Sequence, residues 1–299
     1  MSASVLFDAP GPRARNRNRI VTALFLLVLL ATAYAVYRGF AAKGQWSVDL
    51  WAPFVTGSTW TQFLLPGLVN TIIAALISVV IALPIGALLG IGRLSRHRWV
   101  QRPCAIVVEF FRAIPVLLLM VFAAELYFSY TAIDSDIRPL LAVVTGLVLY
   151  NGSVLAEIVR SGILSLPRGQ TEAADALGLG AGQTMRLILL PQAVTLMLPA
   201  IVSQLVVVLK DTALGGQLTI GYTELIRTSR GLTGNFANTI PTLIVVAVLF
   251  IVMNLLLTSL ASALQRRLSR SPRTPPGAAP PAGMAQSGTA PETLANIVT

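Results

Sequence analysis

Apolar residues gather in six runs, at 20–37, 68–91, 105–127, 140–159, 187–209 and 240–264, each bounded by charges, Gly or Pro. A hydrocarbon core about 30 Å thick needs about 20 helical residues to cross it, so each run predicts a transmembrane helix. The predicted fold class is an all-α membrane protein with about six transmembrane helices. Pro84, Pro115, Pro199 and Pro241 fall in or beside these runs. Proline frees a carbonyl one turn back, so neighbouring helices or a water-lined path must cover those breaks.

Composition agrees: 55% of the residues are hydrophobic and only 11% charged, whereas soluble domains carry about 25% charge. The net charge of +10 first suggests nucleic acid, but the arginines sit in short clusters between apolar runs, and no basic stripe carries interleaved aromatics. With the amino terminus inside, basic clusters at Arg13–Arg19, Arg93–Arg102, Arg160–Arg186 and Arg266–Arg273 all fall on the cytoplasmic side. That places fifteen Lys and Arg inside against six outside, with Arg112 left within a span. This asymmetry sets a multi-pass protein of the cell membrane with both termini cytoplasmic. The first run, led by Arg13, Arg15, Arg17 and Arg19, has two readings, a signal peptide or a retained helix, and its length favours the second. The single cysteine, Cys104, and single histidine, His97, leave a disulfide, a zinc site or a histidine triad without a second member.

The chain divides into a basic cytoplasmic segment (1–19), a first helix (20–38), an external loop (39–66), a transmembrane domain (67–267) and a Pro/Ala/Gly-rich cytoplasmic tail (268–299). The tail holds too few large apolar residues to build a core and is expected to be disordered. Within the domain, the cytoplasmic stretch at about 161–186 is too polar to span. Helix formers from Glu172 to Leu177 predict a short helix capped by Thr171 and ended by Gly178, Gly180 and Gly182. Small Ala173 and Ala174 beside Glu172 suit close approach by another protein; the alternative is a helix lying at the membrane interface.

Glu172-Ala173-Ala174, three residues, Gly178, nine residues, Ile188, one residue, Leu190-Pro191 resembles the EAA motif of ABC importer permeases. The likeness runs from about 67 to 267. It includes Phe111-Arg112-Ala113-Ile114-Pro115, Ala156-Glu157-Ile158-Val159-Arg160, Pro167-Arg168-Gly169-Gln170, Leu189-Leu190-Pro191-Gln192-Ala193 and Leu209-Lys210-Asp211-Thr212-Ala213-Leu214. These resemble the polar amino acid (histidine/glutamine/glutamate-type) branch, and within it glutamate permeases of actinobacteria. Ala213 departs from the serine usual there. The resemblance implies a five-helix type I permease core with one extra amino-terminal helix. It also implies that Glu172, Ala173, Ala174, Gly178, Ile188, Leu190 and Pro191 couple to a cytoplasmic ABC ATPase dimer. Further implied partners are a second permease, identical or homologous, and an extracellular amino-acid-binding protein. Lipid surrounds the chain, and nucleic acid is not an expected partner.

Two lysines, Lys43 before Gly44 and Lys210 before Asp211, leave no G-x-x-x-x-G-K-[ST] phosphate cradle. The chain is therefore expected to bind no cofactor and to be a transporter subunit rather than an enzyme, with ATP and Mg on the partner ATPase. Charges in spans are costly and mark pairs or pathways. Three-residue spacing predicts structural ion pairs between Glu109 and Arg112 and between Glu157 and Arg160. Lys210, Asp211 and Thr212 offer a cation, an anion and a hydroxyl to a zwitterion, as a substrate or gate site; an internal ion pair is the alternative. Two other classes stand beside the importer. A secondary carrier or channel leaves the Glu172 to Pro191 pattern unexplained, and a membrane enzyme lacks a convergent His, Cys or carboxylate set.

Overall fold

A computed structural model describes residues 11–218 and 221–268. Nine helices order these residues: α1 (Pro12–Ala42), α2 (Gly57–Gly92), α3 (Arg98–Ala113), α4 (Val116–Tyr130), α5 (Arg138–Leu164), α6 (Gly169–Ala176), α7 (Ala181–Gln217), α8 (Leu225–Phe236) and α9 (Thr239–Leu268). Five are long and apolar enough to cross a membrane: α1, α2, α5, α7 and α9. The third apolar run is a pair rather than one straight span, because α3 and α4 meet at 99°. Pro115 has no N–H to continue α3 and drives Ile114 to extended geometry, φ −91° and ψ 131°. Nearly all of the expected tail, from residue 269 on, lies outside the described residues.

α1 starts eight residues before its apolar run, with Pro12 in the first turn, so all four leading arginines are helical. None of its apolar window is buried, whereas 61% of that of α5 is. α5 is the hub, packed against α2, α3, α4 and α7. Small residues let it approach its neighbours: a Cβ on Gly146 would stand 2.7 Å from the backbone nitrogen of Met120 on α4. Such close backbone contact is how helices pack when lipid supplies no hydrophobic drive.

α2 and α7 both contain a widened π turn, Trp60–Leu64 and Thr184–Leu189, and each is followed by proline, Pro66 and Pro191. The proline ring clashes with the carbonyl four residues back, and widening the turn is one way to relieve it. Pro191 of the EAA-like pattern thus sits where α7 regains regular geometry. Between α7 and α9, α8 lies against the start of α2, its first turn capped by the buried carboxylate of Glu224, which accepts from the N–H groups of Ile226 and Arg227.

Candidate coupling and transport sites

The polar segment after α5 folds as the short α6, but from Gly169 rather than behind a Thr171 cap. Pro167 and Arg168 already offer carbonyls to the N–H groups of Gln170, Thr171 and Glu172, which puts Thr171 inside the first turn. Glu172 remains in that turn, where the helix dipole favours its charge. The far end closes in a Schellman arrangement, with Gly178 N–H donating to Asp175 and Leu179 N–H to Ala174. Gly178 takes φ +73°, a conformation that L side chains rarely adopt. Gln183 then accepts from Gly180 N–H at 2.9 Å and starts α7.

The motif residues divide by face. Ala174 is buried against α7, while Leu190 packs with Ile163, Leu166, Met185 and Met197 in the cluster beneath it. Glu172, Ala173, Gly178 and Pro191 are exposed, with Ile188 half-buried. Leu177, outside the motif proper, is 79% exposed and extends the same end of α6. Gln192 donates to Gln170 at 3.3 Å, a second tie between α6 and α7.

At the same end of the bundle, charged residues of α3 and α5 meet Arg93, which follows α2. Glu157 receives Arg93 at 2.7 Å, Arg160 at 3.1 Å and Arg112 at 3.4 Å, while Glu109 receives Arg93 at 3.2 Å. The spacing of Glu109 and Arg112 had suggested that they pair with each other. The bend after Ala113 instead turns Arg112 toward α5 and leaves Glu109 to Arg93.

At the opposite end of α7, Lys210 is exposed, Asp211 half-buried and Thr212 buried. Among the described residues no ion pair joins Lys210 to Asp211. The Thr212 hydroxyl donates to Leu209 carbonyl at 2.6 Å. Asp211 faces Asn151 of α5. Asn151 in turn accepts from the Gln204 amide at 2.7 Å. Asn151 and Gln204 are both buried within membrane-spanning helices, and sequence reasoning passed over them. The signal was present on α7, where Gln204 and Asp211 stand seven residues, two turns, apart on one face.

The described residues thus form an all-α membrane protein in which a short helix, α6, closes in a Schellman turn at one end of the bundle and a polar contact joins the spans α5 and α7. Residues 82–270 match the family described as binding-protein-dependent transport system inner membrane component. The chain belongs to that family and is a transporter subunit, not an enzyme. It is 49% identical over 228 residues to the glutamate transport system permease protein GluD of Corynebacterium glutamicum, covering 76% of this chain and 83% of that protein. It is 32% identical to the probable glutamine ABC transporter permease protein GlnP of Bacillus subtilis, over 69% of this chain and 93% of that one. Its fold superposes on a solved amino acid ABC transporter with histidines at a TM-score of 0.60 and 26% identity, covering 70% of this chain and 95% of that one.

Proposed function

We propose that this chain is the membrane permease of an ATP-binding-cassette importer of polar amino acids, with glutamate as substrate. The names of the relatives support the substrate class, and the 49% identity to a glutamate permease supports the choice within it. The observation that carries the reading is α6, whose exposed Glu172 and Ala173 face outward while its buried Ala174 ties it to α7. A separate cytoplasmic ATPase dimer, which holds ATP and Mg, docks on that face. A second permease and an extracellular binding protein complete the importer, and both termini of this chain are cytoplasmic.

Displacement of α6 is passed to α7 through Ala174 and the Gln170–Gln192 contact. α7 carries Gln204 and Asp211 along α5, so its tilt opens or closes the polar seam at Asn151. Lys210, Asp211 and Thr212 form the outer substrate or gate site: Lys210 meets the substrate carboxylate, Asp211 the amine, and Thr212 fixes the helix end between them. Proteoliposomes containing this chain, its second permease, its ATPase and its binding protein, loaded with ATP, are expected to accumulate labelled glutamate, and Asp211→Lys to abolish uptake. Accumulation without ATP, or full uptake by the variant, would overturn this reading.

A further inference from the structure

α3 carries a surface that neither coupling nor the polar seam uses. Five residues, 93–97, separate it from α2, and Cys104 in its middle lies against Gly92, where an added Cβ would stand 2.6 Å from the cysteine sulfur. Its last turns hold Glu109 and Arg112, which reach Arg93 and Glu157. Both halves of α3 therefore stay near the bundle end that carries α6, and the 99° bend sends only α4 onward. Val108 turns inward and is fully buried; Trp99 (93%), Ile106 (67%) and Phe110 (59%) face out. An amphipathic helix with aromatics, aliphatics and arginines on its open face is suited to the plane of a membrane interface.

On that face Arg98, Trp99, Arg102, Pro103 and Ile106 line a cavity of about 360 Å³. Arg98 and Arg102 are one helical turn apart, and among the described residues neither enters an ion pair. Two unpaired guanidinium groups above an apolar wall match a ligand that is anionic at one end and hydrocarbon at the other. Guanidinium groups bind phosphate in paired geometry. Trp99 suits the headgroup depth, and Ile106 with Phe110 the first acyl carbons.

We propose that the outer face of α3 binds an anionic phospholipid of the cytoplasmic leaflet, its phosphate held by Arg98 and Arg102 beside Trp99. This rests on the orientation given above, with the α6 end of the bundle cytoplasmic. A free phosphate would have no use for the apolar wall.

The test titrates the full chain, delipidated in detergent, with dioctanoyl phosphatidylglycerol, dioctanoyl phosphatidylcholine and inorganic phosphate, and counts bound molecules by native mass spectrometry. Phosphatidylglycerol is expected to bind at least tenfold more tightly than phosphatidylcholine. The double variant Arg98→Gln/Arg102→Gln is expected to erase that preference, and Arg98→Lys/Arg102→Lys to restore part of it. Glu172→Arg, on the coupling face, is expected to bind lipid as the wild type does, so failure of ATPase coupling alone leaves this result intact. Equal affinity for the two lipids, a preference that survives the double glutamine variant, or phosphate binding as tight as that of phosphatidylglycerol would overturn the proposal. So would self-crosslinking of a Trp99→Cys/Cys104→Ser chain, which would show a second permease covering the face.

Discussion

Gln204 donates its side-chain amide to Asn151 across the seam between α5 and α7 at 2.7 Å. Both are buried, and the Asn151 side-chain amide donates in turn to the Leu147 carbonyl at 3.0 Å. Interhelical hydrogen bonds in membrane proteins average under about 1 kcal/mol and reach about 1.7. A double-mutant cycle with Asn151→Leu and Gln204→Leu, read by thermal unfolding in detergent, is therefore expected to give a coupling of about 1 kcal/mol. Glutamate uptake is expected to fall far more than stability does.

A Cβ added at Gly146 would meet Met120 at its Cγ (2.5 Å), backbone nitrogen (2.7 Å) and Cα (2.9 Å), and rotating the side chain away would leave the two backbone clashes in place. Gly146→Ala is expected to cost about 1–3 kcal/mol, the usual cost of overpacking. Gly182→Ala, inside α7 where no atom lies within 4 Å of the added Cβ, serves as the control and is expected to hold or slightly raise the melting temperature.

Glu157 is the hub of its ion cluster and Glu109 a satellite with a side chain 69% exposed. Arg93, only 11% exposed, keeps one carboxylate when Glu109 is removed but loses its shorter contact when Glu157 is. Glu157→Ala is expected to lose about 1.5–3 kcal/mol, and Glu109→Ala under about 1 kcal/mol, both by thermal unfolding.

Burial raises the Glu224 carboxyl to about 7, against the opposing pull of its two backbone N–H donors and of Arg230 and Arg227. Tyr222, whose hydroxyl donates to Asn70 carbonyl, stands beside it and is itself shifted up by burial. An acid raised in the folded state binds its proton there while the unfolded chain has released its own. The contribution of Glu224 is thus fullest below about 4.5 and is lost as pH rises through about 7. Glu224→Gln is expected to flatten that part of the stability profile, measured as melting temperature between pH 4.5 and 8.

Membrane class and the short helix α6 were legible because each has a local signal: a run of about 20 apolar residues, or helix formers closed by Gly178. The bend at Pro115 was half legible, since proline marks a break but not its angle, which packing of α3 on Gly92 and of α4 on Gly146 decides. Partner choice in the ion cluster was not legible, because Arg93 and Glu157 lie 64 residues apart and meet only when α2 and α5 pack. Thr171 looked like a cap because its residue type suits one, and the Pro167 carbonyl overrode that preference by starting the helix earlier. Asn151 carried no local signal, since one asparagine in an apolar run gains meaning only from Gln204 on the neighbouring helix.

The coupling claim is tested most directly by purifying the full chain in detergent with each cassette ATPase of its host, as wild type, as Glu172→Arg and as Gly178→Asp. The first variant reverses the charge on the outer face of α6, and the second strains the φ +73° turn that closes it. The account predicts that the wild type captures one ATPase in stoichiometric amount and that both variants lose it while remaining folded. Equal capture by all three, or capture of no ATPase by the wild type, would contradict it.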